Sequence, residues 1–329
     1  MSPVTMLYRL FRPDRPAAFL LLLVALPVLW VPVFMHPNGL AEREHMPLFT
    51  PVARLVDGAP WTGPLLGLVA VILVLVLLDR LANLHEVYDR RTRLPALLFL
   101  LLLAAGPTGL SLGPALLSMP LVLLAMHRTL GVQGGQRVLS PLFDAGLLTG
   151  IAALIYLPFA FMVVAIWATV SVLRPFSWRE YVVPLVGVLV TVHLALLAGR
   201  LLELPMAGPL GTVMRQELPS AWDSPRFAHL SIAALVLLLV GSLLAYAGSY
   251  GHRVMRGKGM MAATLAHVVT LAVLVAFELF THGRWPSVLV ALPMSLLATY
   301  LLLPMRRPWV GEVIVLLLVM LAIGGQWPA

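Results

Sequence analysis

The chain has 329 residues, of which 60% are hydrophobic and 11% charged, with a mean hydropathy of +0.97. A soluble domain carries roughly a quarter charged residues and cannot bury this much apolar surface, so a soluble enzyme and a disordered chain are both excluded. The absence of cysteine removes thiolate metal sites, thiol nucleophiles and disulfides, and the net charge of +8 is spread through short breaks between apolar runs, where it orients helices rather than binding nucleic acid.

A hydrocarbon core of about 30 Å needs about 20 apolar residues in a helix. Eleven runs of this kind follow one another at 17–34, 63–80, 94–107, 112–126, 143–157, 158–174, 181–199, 229–249, 261–280, 286–304 and 308–326. The fold class expected is an all-α, polytopic transmembrane helical bundle of about eleven spans, forming a single integral membrane domain over 1–329. The runs at 94–107, 112–126 and 143–157 are short and have prolines in or beside them. Two of these fit re-entrant or broken helices.

Placing the N-terminus inside puts 16 of the 22 basic residues in inner segments, leaving Arg43, Arg54, Arg200, Arg215, Arg226 and Arg284 outside. That asymmetry supports an odd number of spans and an outer C-terminus. Arg9, Arg12 and Arg15 precede a first run that is too long for a signal peptide and lacks a small-x-small cleavage site, so it reads as a signal anchor. With no transit-peptide character, the location expected is the bacterial inner membrane.

The outer loops 35–62 and 200–228 are the longest breaks. The first carries Glu42, Glu44 and Asp57, and its stretch from Met46 to Val56 mixes apolar residues with prolines and Arg54. Such a stretch suits a segment lying in the membrane interface. A carboxylate just beyond the first span can act as a general base toward an acceptor hydroxyl, or hold a divalent cation on a phosphate. A solvated acidic loop accounts for the same residues.

Inside the runs the polar residues are few. His267 and Glu278 lie eleven residues apart, close to three turns, and share a face. They fit a proton relay; they fit equally a hydrogen-bonded histidine and an interfacial carboxylate beside His282 and Arg284. His193 reads as a hydrogen-bonded core residue and Glu312 as an ion-pair partner of Arg306 and Arg307. Asp144 reads as a first-turn acid of a helix capped by Ser140 with Pro141 following. Arg174 and Arg179 fit phosphate headgroups, and Trp178 with Tyr181 fits an aromatic belt. The glycine-rich segment 131–136 lacks the Lys-Ser/Thr of a phosphate-binding loop. No intramembrane histidine pair has ligand spacing, so no metal site is expected, and no cofactor is implied apart from that divalent cation.

The segments Arg91–Leu98, Phe143–Gly150 and Leu173–Glu180 resemble an uncharacterised family of polytopic inner-membrane proteins from Bacteroidota, which implies lineage and no particular chemistry. More distantly, the inside N-terminus, the outer first loop with an interfacial segment and the many short spans resemble the GT-C membrane glycosyltransferases that use polyprenyl-phosphate sugars. That resemblance implies a catalytic base in the first outer loop, at Glu42 or Glu44 with Asp57 behind them. The acidic residue or pair that the family usually places right after the first span is absent here.

The function expected is therefore the handling of a lipid-linked glycan or other envelope lipid at the outer face, by a transferase or a lipid-binding derivative of one. Its partner would be a membrane lipid or polyprenyl-linked substrate. A non-catalytic subunit bound to other envelope membrane proteins is the alternative, and a proton-coupled transporter using His267 and Glu278 is the third.

Overall fold

The computed structural model describes residues 7–35, 46–106, 110–135, 137–201, 226–251, 253–282 and 285–324; for 226–231 and 282 it describes the helix without the side chains. Among these residues the protein is all-helical. The helices are α1 (Leu7–Phe11), α2 (Pro16–Met35), α3 (Thr50–Gly58), α4 (Thr62–Leu84), α5 (Leu94–Ala104), α6 (Pro114–Leu130) and α7 (Leu139–Ile155). A 3-10 turn at Leu157–Phe161 leads into α8 (Met162–Leu173), followed by α9 (Trp178–Leu201), α10 (Arg226–Gly251), α11 (Met255–His282), α12 (Ser287–Leu302) and α13 (Pro308–Gly324).

Each of the eleven apolar runs coincides with an apolar helical segment. Five of these, Pro16–Met35, Thr62–Leu84, Trp178–Leu201, Ile232–Gly251 and Met255–Thr281, are long and apolar enough to cross a membrane by themselves. The remaining six are 10–17 residues long. The chain is a multi-pass membrane protein. Prolines open several helices, where a missing N–H costs nothing. Pro27, Pro32, Pro120, Pro184 and Pro293 sit inside helices instead, as membrane bundles tolerate when neighbours satisfy the freed backbone groups.

Helix α5 is the centre of the bundle. Its eleven residues, about 16 Å of helix, are all buried. It packs on α12, itself almost wholly buried, and is walled by α4, α13 and α2. Helix α9 is the opposite case: Glu180, Pro184, Gly187, Thr191 and Gly199 are its buried residues, and leucines and valines cover its outward side. That stripe packs on α7 through small residues. A Cβ on Gly146 would stand 2.0 Å from the Pro184 carbonyl oxygen, and one on Gly187 2.6 Å from that of Phe143. Gly146 and Gly150 on α7 face Gly187 and Thr191 on α9, so two four-residue spacings of small residues let the backbones touch.

Hydrogen bonds gather six chain connections at one end of the bundle. The Arg12 side chain donates to the Leu303 carbonyl, Arg253 to that of Val87, Gln133 to that of Arg256 and Arg174 to that of Gly135. Arg93 ties the N-terminal segment to α4 through Asp14 and Asp79. These are the segments that carry the basic residues, so this is called the basic end. At the far end Trp30 donates to the Pro64 carbonyl, and the Leu48 amide donates to that of Leu154.

Two local expectations are corrected. Glu312 accepts hydrogen bonds from the amides of Leu7 (3.1 Å) and Tyr8 (2.9 Å); the free amides opening α1 draw the carboxylate away from Arg306 and Arg307. Helix α7 starts at Leu139 with Val138 as its cap and no side-chain cap bond, so Ser140 and Pro141 lie in the first turn, where a missing N–H costs nothing. Asp144 stands 3.6 Å from Arg128, a surface ion pair.

Candidate functional site

At the far end, α3 is a nine-residue amphipathic helix within the 35–62 loop. Phe49 and Ala53 pack on Ile155, with Val52, Leu117 and Leu121 around them. Arg54, Leu55 and Asp57 are exposed, so charge and apolar surface point outward together, as an interfacial segment requires. Arg54 and Asp57 are three residues apart and share a side of the helix. Glu42 and Glu44 lie outside the described residues, as does nearly all of the 200–228 loop; Leu201 belongs to α9 and Arg226 begins α10.

Glu278 is buried at this end and accepts a hydrogen bond from the Tyr156 hydroxyl. Tyr156 sits at the break between α7 and the 3-10 turn, in extended backbone, which carries its ring across to α11. His267 is buried deeper on the same helix. Its Nδ1 lies 3.0 Å from the Ala263 carbonyl and 3.3 Å from the Thr169 hydroxyl. A carbonyl only accepts, so the proton belongs on Nδ1. About 16 Å of helix separates His267 from Glu278, and each has its own partners; the fold does not bring them together. His193 faces outward from α9, exposed. That corrects its reading as a core residue, because the buried stripe of α9 runs through the glycines and Thr191.

The basic end holds most of the polar geometry. Arg93 bridges Asp14 and Asp79, each at 2.8 Å, and its guanidinium lies over the Phe19 ring. Asn83 joins the same group, donating to the Asp79 carboxylate and accepting the Thr92 amide. Arg174 is taken up internally by Glu180 at 3.1 Å and the Gly135 carbonyl at 3.0 Å. Arg179 instead lies over the exposed Trp178 ring, 5.8 Å from its centroid. Of the proposed headgroup residues, Arg179 and Trp178 face outward and Arg174 does not.

His85 Nε2 and His127 Nδ1 are 2.8 Å apart and share one proton between them. Burial, then the neighbouring His127, pushes the His85 pKa down to about 4. Beside this pair a cavity of about 470 Å³ opens between the α4–α5 connection and the start of α11. Its lining includes Arg253, which pairs with Asp89 at 2.9 Å and lies over the Tyr300 ring. Sequence reasoning missed Arg93, Asp79 and Arg253 as partners. The only local signal was an aspartate inside an apolar run, at Asp79.

The fold has a solved counterpart. The crystal structure of ArnT from Cupriavidus metallidurans bound to undecaprenyl phosphate matches with a TM-score of 0.54 at 15% identity, over 93% of this chain and 64% of that one. The fold is ArnT-like. This supports the distant GT-C-like resemblance. The chain spans less than two thirds of the length of the ArnT structure. No protein-family model and no curated protein matches the chain, so the likeness to the Bacteroidota family rests on its three sequence segments.

Proposed function

We propose that the protein handles a polyprenyl-linked or other envelope lipid at the far end of the bundle, as a GT-C-like glycosyltransferase or a lipid-binding derivative of one. The observation that carries this reading is the ArnT-like fold over 93% of the chain; the matched structure is bound to undecaprenyl phosphate. In this reading all eleven apolar helices cross the bacterial inner membrane, the basic end faces the cytoplasm and the far end faces outward.

Helix α3 fits the role of an interfacial platform beside the lipid. Its exposed Arg54 would pair with a phosphate, and Asp57 stands on the same side. Glu42 or Glu44, in the stretch between α2 and α3, would take the proton of an acceptor hydroxyl as the glycosyl group leaves its phosphate carrier. A divalent cation on that phosphate would neutralise the departing charge. Arg179 and Trp178 fit lipid headgroups of the inner leaflet.

The test is turnover of polyprenyl-phosphate sugars by the purified protein, with Glu42→Gln, Glu44→Gln and Asp57→Asn compared with wild type. One of the first two should lose about 100-fold or more while still retaining co-purified lipid by mass spectrometry. Absence of turnover and of bound lipid in wild type would defeat the reading. A lipid-bound but inactive wild type selects the binding derivative.

A further inference from the structure

The cavity at the basic end lies outside the reading above. It sits where the α4–α5 connection meets the start of α11, and at about 470 Å³ it is within the size of small-ligand pockets. Arg90, Arg91, Arg253 and Arg256 line it, opposed by Glu86 and Asp89. Four guanidinium groups against two carboxylates leave an excess of two positive charges.

Three further features make this a built site. Arg253 has a side chain only 7% exposed. Its Nη1 donates to the Val87 carbonyl and its Nε pairs with Asp89 at 2.9 Å, so the guanidinium is held in place at the cavity wall. Helix α11, 28 residues long, begins at the cavity, and Arg256 and Gly257 in its first turn line the wall. Their amides have no partner within the helix and favour an anion. Glu86 on the same wall holds a φ of 51°, in the left-handed region that a non-glycine residue rarely adopts. Behind the cavity, Tyr88 and Tyr300 are locked by hydrogen bonds to Leu296 and Val87, so the wall that supports Arg253 is already formed.

We propose that this cavity binds a phosphate group. Its source is either the headgroup of an anionic lipid in the adjoining leaflet or a free phosphate compound. A doubly charged phosphate matches the excess charge of the lining, and planar guanidinium groups suit its oxygens.

The experiment uses the full chain purified in detergent or placed in nanodiscs, followed by hydrogen exchange at residues 86–91 and 253–258. One arm titrates inorganic phosphate against chloride at matched ionic strength. The other compares nanodiscs containing phosphatidic acid with nanodiscs of phosphatidylcholine alone. Protection is expected with phosphate or phosphatidic acid and not with the controls. Protection by inorganic phosphate identifies a soluble ligand, whereas protection by phosphatidic acid alone identifies a lipid headgroup. Arg90→Gln with Arg91→Gln, both exposed side chains, should weaken binding about tenfold or more, while Asp89→Asn should bind at least as tightly as wild type. No protection in either arm overturns the proposal. So does unchanged affinity in the double variant, or a loss in Asp89→Asn equal to that of the double variant.

Discussion

The two ends of the bundle are held by different means. At the basic end, charged side chains tie chain connections to segments elsewhere in the chain: Arg93 to Asp14 and Asp79, Arg253 to Asp89 and Arg174 to Gly135. At the far end the ties include hydrogen bonds from Trp30 to Pro64, from the Leu48 amide to Leu154 and from Tyr156 to Glu278, together with the apolar seat of α3. Arginines in the connecting segments serve here as fasteners. Among the described residues, the exposed Arg54 and Asp57 at the far end form no ion pair and face outward.

The sharpest way to separate packing from charge at the basic end is Gly146→Ala, since the added methyl would meet backbone at 2.0 Å and force α7 and α9 apart. A loss of about 3 kcal/mol in detergent unfolding is expected. Arg93→Met should cost nearly as much, about 3 kcal/mol, because it strands two partly buried carboxylates; adding Asp79→Asn should recover part of it. Tyr156→Phe at the far end removes one hydrogen bond to a carboxylate and should cost about 1–2 kcal/mol. If it costs as much as Arg93→Met in the same assay, the contrast between the ends fails.

Acid should loosen the basic end before the far end. His85 is held neutral in the fold with a pKa near 4, against an ordinary value of 6.5. The unfolded chain therefore binds a proton that the folded chain does not between those values, and stability falls as pH drops through that window. The melting temperature should decline from pH 6.5 to 4 and decline less in His85→Gln. Arg179→Ala is the smallest change, within about 0.5 kcal/mol, since its partner Trp178 is exposed.

The apolar runs were legible in sequence because a membrane helix satisfies its own backbone, so its signature is local. All eleven runs found a helix, and the interfacial character of 46–56 reappears in α3. The pairings were not legible, because partners such as Arg93 and Asp14, or Tyr156 and Glu278, are joined by the route of the chain and not by spacing. Glu312 shows the limit well: its neighbours in sequence are arginines, yet its partners are amides 304 and 305 positions away. The α7–α9 seam was accessible in principle, since Gly146 and Gly150 stand at the close-packing spacing within a segment already singled out for its resemblance.

That distance between Glu312 and the first helix has a consequence in time. A ribosome adds about 5–20 residues per second, so roughly 15–60 s separate the synthesis of Tyr8 from that of the carboxylate that holds its amide. Throughout that interval α1 has no anchor on α13, and α5, too short to cross a bilayer alone, has no α12 to lie against. The amides of Leu7 and Tyr8 thus wait for almost the whole described chain, although Arg93 holds the neighbouring Phe11 carbonyl and Asp14 much earlier, and a nascent chain halted before α12 would leave its own centre unfinished.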